Sequence, residues 1–164
     1  MPQLPVIDGF EFARSGSRLS GDWPAKDFRR LHEGFHAPEG TLHYALEGLP
    51  LEQGRPALRV SVTGRLRLTC QRCLGPLEFE LKSEALLVLF AQEAELAGLP
   101  VEVEGPERIV AQREMSVLDL VEDEVLLAVP YAPRHEQCSP RAGDVPVAPQ
   151  RPFAGLRALM GGKR

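Results

Sequence analysis

From Leu58 to Cys70 the chain alternates apolar and polar residues with few interruptions. Leu58, Val60, Val62, Leu66, Leu68 and Cys70 share one parity, and Arg59, Ser61, Thr63, Arg65, Arg67 and Thr69 share the other. Successive strand side chains point to opposite faces, so this pattern predicts a strand with one buried and one wet side. Leu77–Leu89 repeats it: Leu77, Phe79, Leu81, Ala85, Leu87 and Leu89 face in, while Glu78, Glu80, Lys82 and Glu84 face out. Gly75-Pro76 punctuates the gap between them, and the pair reads as a long antiparallel hairpin. From Leu86 to Phe90 the alternation fades, which predicts burial on both faces there.

Thr41–Gly48 alternates as a shorter strand. Asp8 can cap a helix over Gly9–Ser17, and Pro24 suits the first position of a second helix over Pro24–Glu33, ended by Gly34. A short helical turn is expected near Gln92–Ala97 within an acidic, loop-like stretch over Glu93–Glu107. Ser116-x-x-Asp119 is a capping pattern, and it opens a helix to Val129 whose inward stripe is Leu118, Val121, Val125 and Ala128. Pro130 and Pro133 end that helix. Residues 139–152 read as loop or disorder, and 153–160 as a short amphipathic helix. The whole is expected to be one α+β domain over residues 1–164: an antiparallel sheet built on the long hairpin and packed by a few helices.

The hairpin tip carries the chemistry. Cys70-Gln71-Arg72-Cys73 is the spacing by which one turn offers two thiolates to a metal, and His135-Glu136-Gln137-Cys138 offers two more ligands. If the two pairs meet, they form a structural zinc site. If they do not, Cys70 is a buried strand residue and Cys73 an idle thiol. A redox role fits less well, because strand follows strand here where that chemistry needs a strand-to-helix junction.

Two further constellations compete with simpler readings. Arg65, Arg67 and Arg72 could meet nucleic-acid phosphates, but Arg65 and Arg67 lie opposite or diagonal to Glu78 and Glu80 if the hairpin pairs with its inward faces matched. Asp119, Glu122, Asp123 and Glu124 could hold magnesium, dock a basic protein, or simply match the dipole of the helix start. His32-Glu33-Gly34-Phe35-His36 matches the H-E-x-x-H pattern of zinc hydrolases. Gly34 inside it and Pro38 just after it argue against the continuous helix that chemistry needs.

Charge is unevenly spread. Residues 93–136 hold 3 basic and 11 acidic groups, and residues 137–164 hold 5 basic and 1 acidic. A uniformly basic nucleic-acid face is therefore not expected. The start Met1-Pro2-Gln3-Leu4-Pro5 lacks the basic and apolar regions of a signal peptide, and no apolar run is long enough for a membrane helix. Three cysteines and no leader point to the cytoplasm.

The blocks Leu66–Pro76 (LRLTCQRCLGP), Val121–Pro133 (VEDEVLLAVPYAP), Cys138 and Arg151–Leu159 (RPFAGLRAL) resemble, in order and spacing, the large ribosomal RNA subunit accumulation protein family known as YceD. The resemblance spans about residues 10–160. It implies a small factor linked to the synthesis, processing or stability of 23S ribosomal RNA, in a family described as metal-binding and nucleic-acid-binding. By position, the family's cysteines fall on Cys70, Cys73 and Cys138, and its acidic motif on Val121–Glu124. Some relatives carry further cysteines near the last position, where this chain has His135. The resemblance implies no catalytic residue and no small-molecule substrate. Its implied partners are a precursor of large-subunit RNA or a large-subunit ribosomal protein. The rival reading is a nucleic-acid-binding module of zinc-knuckle type, and a more distant one a zinc hydrolase using residues 32–36.

Overall fold

The computed structural model describes residues 5–52, 54–100 and 105–140. The expected loop over 139–152 lies outside them from residue 141 on, and the expected helix over 153–160 lies wholly outside them. In chain order the elements are β1 (Val6–Ile7), α1 (Gly9–Arg14), β2 (Arg18–Pro24), β3 (Phe35–Ala37), β4 (Thr41–Glu52), β5 (Arg55–Thr69), β6 (Pro76–Phe90), α2 (Glu93–Ala97), β7 (Glu107–Val110), β8 (Met115–Ser116) and α3 (Val117–Ala128).

The hairpin β5–β6 is the spine. It pairs antiparallel from Ala57↔Val88 to Thr69↔Pro76, with the expected faces matched. β4 adds to β5 and β2 adds to β4, giving the order β2-β4-β5-β6-β7, while short β3 pairs with the tip end of β5. β7 joins β6 in parallel, so the sheet is mixed at that edge rather than wholly antiparallel. Separately, β1 and β8 form a two-stranded ribbon that ties the start of the chain to the start of α3.

One sheet face is apolar. Leu42, Leu46, Leu58, Val60, Val62, Leu66, Leu68, Leu81 and Leu89 are buried there under Ala13 of α1 and Val117, Val121 and Val125 of α3. Removal of these side chains from water is the dominant stabilising term. Gly48 is needed at the α1 crossing, because a Cβ there would overlap the Phe12 carbonyl oxygen. The fading alternation at the end of β6 is explained by a second small core on the opposite face, where Ala57, Val88 and Phe90 pack with Leu49, Leu86 and Leu96.

The second N-terminal helix does not form. Pro24 closes strand β2, and two 3-10 turns follow at Ala25–Asp27 and Arg29–Leu31. Phe28 sits between them, fully buried, with its ring edge toward Trp23, which stacks on Tyr44 at 4.2 Å. Burying Phe28 in this aromatic layer outweighs the local helix preference. The first helix is shorter than expected, six residues capped by Asp8, whose carboxylate accepts from the Glu11 N–H. α3 is capped by Ser116 as expected, its hydroxyl accepting from the Asp119 N–H. Its most buried apolar residues are Val117, Val121 and Val125, while Leu118 and Ala128 are half-buried.

Candidate metal centre

The β5–β6 loop is a tight knuckle. The Cys70 N–H donates to the Gly75 carbonyl at 2.9 Å, and the Leu74 N–H donates back to the Cys70 carbonyl at 2.9 Å. Leu74 takes a left-handed conformation, φ 58°, uncommon for a residue with a side chain. Beyond α3, Pro130 prevents the helix from continuing, and Pro133 lies buried against the knuckle with its carbonyl accepting from the Gln71 N–H at 2.8 Å. That strap delivers His135 and Cys138 to the two knuckle cysteines.

The four ligand atoms of Cys70, Cys73, His135 and Cys138 lie within 4.8 Å of one another. Cys70 Sγ and Cys138 Sγ are 3.8 Å apart, and Cys73 Sγ lies 3.4 Å from His135 Nδ1. A tetrahedral metal with ordinary thiolate and imidazole bond lengths requires edges of about 3.8 Å between sulfurs and about 3.5 Å between sulfur and nitrogen. Two of the six edges already have these lengths, and all six are within 4.8 Å. The other ring nitrogen of His135 is 2.9 Å from the Pro76 carbonyl. As its donor, Nε2 carries the hydrogen and leaves the Nδ1 lone pair facing the thiols, the usual outer support of a metal-binding histidine.

Electrostatics point the same way. Burial pushes the Cys70 thiol up, but the backbone N–H groups of Cys73, Arg72 and His135, aided by the Cys73 side chain, outweigh it and hold Cys70 at about 5. Cys138 is pushed up by burial and by the neighbouring Cys70 and Cys73 sulfurs. Without a cation, one thiolate is tolerated in the cluster and a second is resisted; a divalent ion removes that conflict. These four residues thus form a Cys3His group able to bind a metal.

A family model described as large ribosomal RNA subunit accumulation protein YceD matches residues 58–159. The chain belongs to the YceD family. The match takes in the hairpin, all four ligand residues and α3. The family's description ties it to accumulation of the large ribosomal RNA subunit. Comparison with curated proteins and with solved structures returns no match.

The other sequence-derived residues of this YceD-family chain are placed as follows. Arg67 is bound on both sides, to Glu39 and to Glu78, each at 3.0 Å. Arg59 pairs with Glu47 at 3.0 Å and approaches Glu84 at 3.6 Å, and Glu47 also pairs with Arg18. Arg65 stands across from Glu80 in the register and makes no ion pair among the described residues. Arg72 is exposed at the knuckle, with one long bond, 3.4 Å, from its guanidinium to the Cys138 carbonyl. Of Arg65, Arg67 and Arg72, only Arg67 is thus taken up by ion pairs among the described residues.

Glu122 and Glu124 are buried, whereas Asp119 and Asp123 are exposed. Arg30 was not among the residues singled out by sequence, and it explains much of the difference. Glu122 accepts from the Arg30 backbone N–H at 2.8 Å and from Nε at 2.7 Å, and Asp123 accepts from Nη1 at 2.7 Å. Glu124 accepts from the Ser83 hydroxyl. The pairing of Arg30 with α3 joins positions some ninety residues apart, so no local signal announces it.

Partial burial pushes the Glu107 carboxyl on β7 above its ordinary range, and the Glu124 and Asp123 carboxylates push it the same way. Its charged form is therefore disfavoured in the folded chain and costs stability at neutral pH. Glu107→Gln is expected to raise the thermal midpoint slightly at pH 7. The gain should vanish below about pH 4, where the unfolded carboxylate is protonated too. Paired melts at the two pH values check this.

The H-E-x-x-H match is not a helical site. His32 follows a 3-10 turn and its Nε2 lies 2.9 Å from the Lys26 carbonyl, while His36 is an exposed residue of β3. Among the described residues, Cys70, Cys73, His135 and Cys138 are the one group with metal-binding geometry.

Proposed function

We propose that this protein is a non-enzymatic cytoplasmic factor in large-subunit ribosome biogenesis. In this reading a structural zinc ion clasps the hairpin tip to the strap and presents the knuckle to ribosomal RNA. The observation that carries it is the convergence of the ligand atoms of Cys70, Cys73, His135 and Cys138 to within 4.8 Å of one another in a chain of a family tied to large ribosomal RNA accumulation. Three sulfurs and one imidazole favour zinc over the hard cations magnesium and calcium, which prefer oxygen ligands. A closed four-residue site leaves no open position for substrate, which fits a structural ion rather than a catalytic one.

RNA contact falls to Arg72 and the basic residues after Cys138. Arg72 is exposed beside the clasp, and residues 137–164 carry 5 basic groups against 1 acidic. The alternative, an acidic helix that masks a basic ribosomal protein, retains Asp119 and Asp123, because Glu122 and Glu124 are buried within the fold. The test is complementation of a strain lacking the gene, read as the ratio of large to small subunits on sucrose gradients. Wild type should restore the ratio, Arg72→Glu should restore it only in part, and Glu33→Gln should restore it fully. Full restoration by a variant lacking both Cys70 and Cys73 would contradict the zinc-clasp reading.

A further inference from the structure

The sheet face opposite α1 and α3 is largely bare. Beyond the small core at the α2 end, Thr41, His43, Thr63, Arg65, Glu80 and Lys82 are all exposed on it. Most charges on this face are answered by a neighbour. Arg18 and Arg59 both pair with Glu47, Arg59 approaches Glu84, Asp22 bonds the His43 ring, and Arg67 lies between Glu39 and Glu78. Three are not. Arg65, Glu80 and Lys82 make no side-chain hydrogen bond or ion pair among the described residues.

These three charges sit together. Asp22, His43, Thr63 and Lys82 stand directly across from one another on β2, β4, β5 and β6, and Arg65 stands across from Glu80 two residues nearer the knuckle. Arg65 and Lys82 are therefore diagonal neighbours, about 7 Å apart at the backbone. With Thr41, His43 and Thr63 they line a cleft of about 430 Å³. A lone unpaired surface charge is ordinary. Two like charges held side by side, with the Thr63 hydroxyl on the same face, create a local positive potential that draws an anion. Glu80 narrows what that anion is. A carboxylate beside the cations repels a bare dianion but accepts from a hydroxyl. A singly charged phosphodiester next to a ribose 2′-hydroxyl offers both features.

We propose that this cleft holds a phosphate of single-stranded RNA. Arg65, Lys82 and Thr63 donate to the phosphate oxygens, and Glu80 accepts from the adjoining 2′-hydroxyl. The ligand class rests on the reading that this protein contacts ribosomal RNA. The cleft's place in the fold suits that ligand. From Arg65 to the end of β5 at Thr69 the strand rises about 13 Å, so one RNA strand lying along the hairpin meets Arg72 and the cleft together. An open sheet face suits an extended chain better than an enclosed small molecule.

Fluorescence anisotropy of a short labelled oligouridine with the full-length protein at low salt tests the cleft. Arg65→Gln together with Lys82→Gln is expected to weaken binding about tenfold. Lys26→Gln together with Arg29→Gln removes the same charge from exposed residues flanking buried Phe28, on the helix side of the sheet, and should change binding less than about threefold. Wild type should favour oligouridine over oligodeoxyuridine about tenfold, and Glu80→Ala should abolish that preference. In wild type the Thr63 and Lys82 backbone amide resonances should shift as oligouridine is added, a readout that needs no variant to fold. Binding by the Arg65 and Lys82 double variant as tight as by the Lys26 and Arg29 one, or unmoved amides, would overturn the cleft. If Arg72→Glu still weakened binding in that case, RNA contact at the knuckle would stand alone. No binding of oligouridine by wild type would overturn both. Displacement of the RNA by oligoglutamate of equal charge would overturn the proposal in favour of an acidic peptide.

Discussion

Stripping the metal from the Cys70, Cys73, His135 and Cys138 group is expected to lower the stability of this protein by about 4 kcal/mol, a fall of about 10 °C in the thermal midpoint. The clasp joins two segments more than sixty residues apart, and beside it stand three described hydrogen bonds, Gln71 N–H to the Pro133 carbonyl, Arg72 to the Cys138 carbonyl and His135 Nε2 to the Pro76 carbonyl. A metal that binds the folded arrangement and not the open chain stabilises by mass action. Cys70→Ser should give the same loss without chelator and should make added chelator inert. The sign with pH follows from the ligands. Protons compete with metal for the sulfurs, so the metal-dependent part of the stability weakens as pH falls. Melts with and without chelator at pH 8 and at pH 5 measure both effects.

Arg30→Ala is expected to cost about 2 kcal/mol, discounted from the larger penalty of breaking a fully buried pair because Arg30 is half-exposed. Glu122 would keep the Arg30 backbone N–H but lose the one cation it pairs with among the described residues, while remaining buried. Arg30→Lys should rescue part of the loss, since one ammonium cannot reach Glu122, Asp123 and the Asp119 carbonyl together. A double-mutant cycle with Glu122→Ala separates this pair from simple loss of packing, and a coupling near zero would show that the clamp does not matter.

The hairpin was legible because its alternation is strict and its two faces differ in polarity. α3 was legible for the same reason, with Ser116 marking its start. β2 was not, because Gly21 and Pro24 interrupt it and Pro24 suits a helix start as well as a strand end. β7 is four residues long and pairs in parallel with β6, a non-local contact that a period of two cannot announce. The spacing within Cys70–Cys73 and within His135–Cys138 was readable, but their meeting depends on where the prolines after α3 send the chain. The acids of α3 looked alike in sequence. Their environments differ because Arg30 and Ser83, both distant in the chain, fold over Glu122 and Glu124.

The most direct test of the metal clasp is the native mass of the full-length protein purified under reducing conditions, with metal identified by elemental analysis. One zinc per chain, lost in Cys70→Ser and in His135→Ala, is the predicted result. A metal-free chain that stays metal-free when zinc is added would contradict the account. The four side chains would then be a packed thiol cluster, and the family's role in ribosomal RNA accumulation would have to be explained without them.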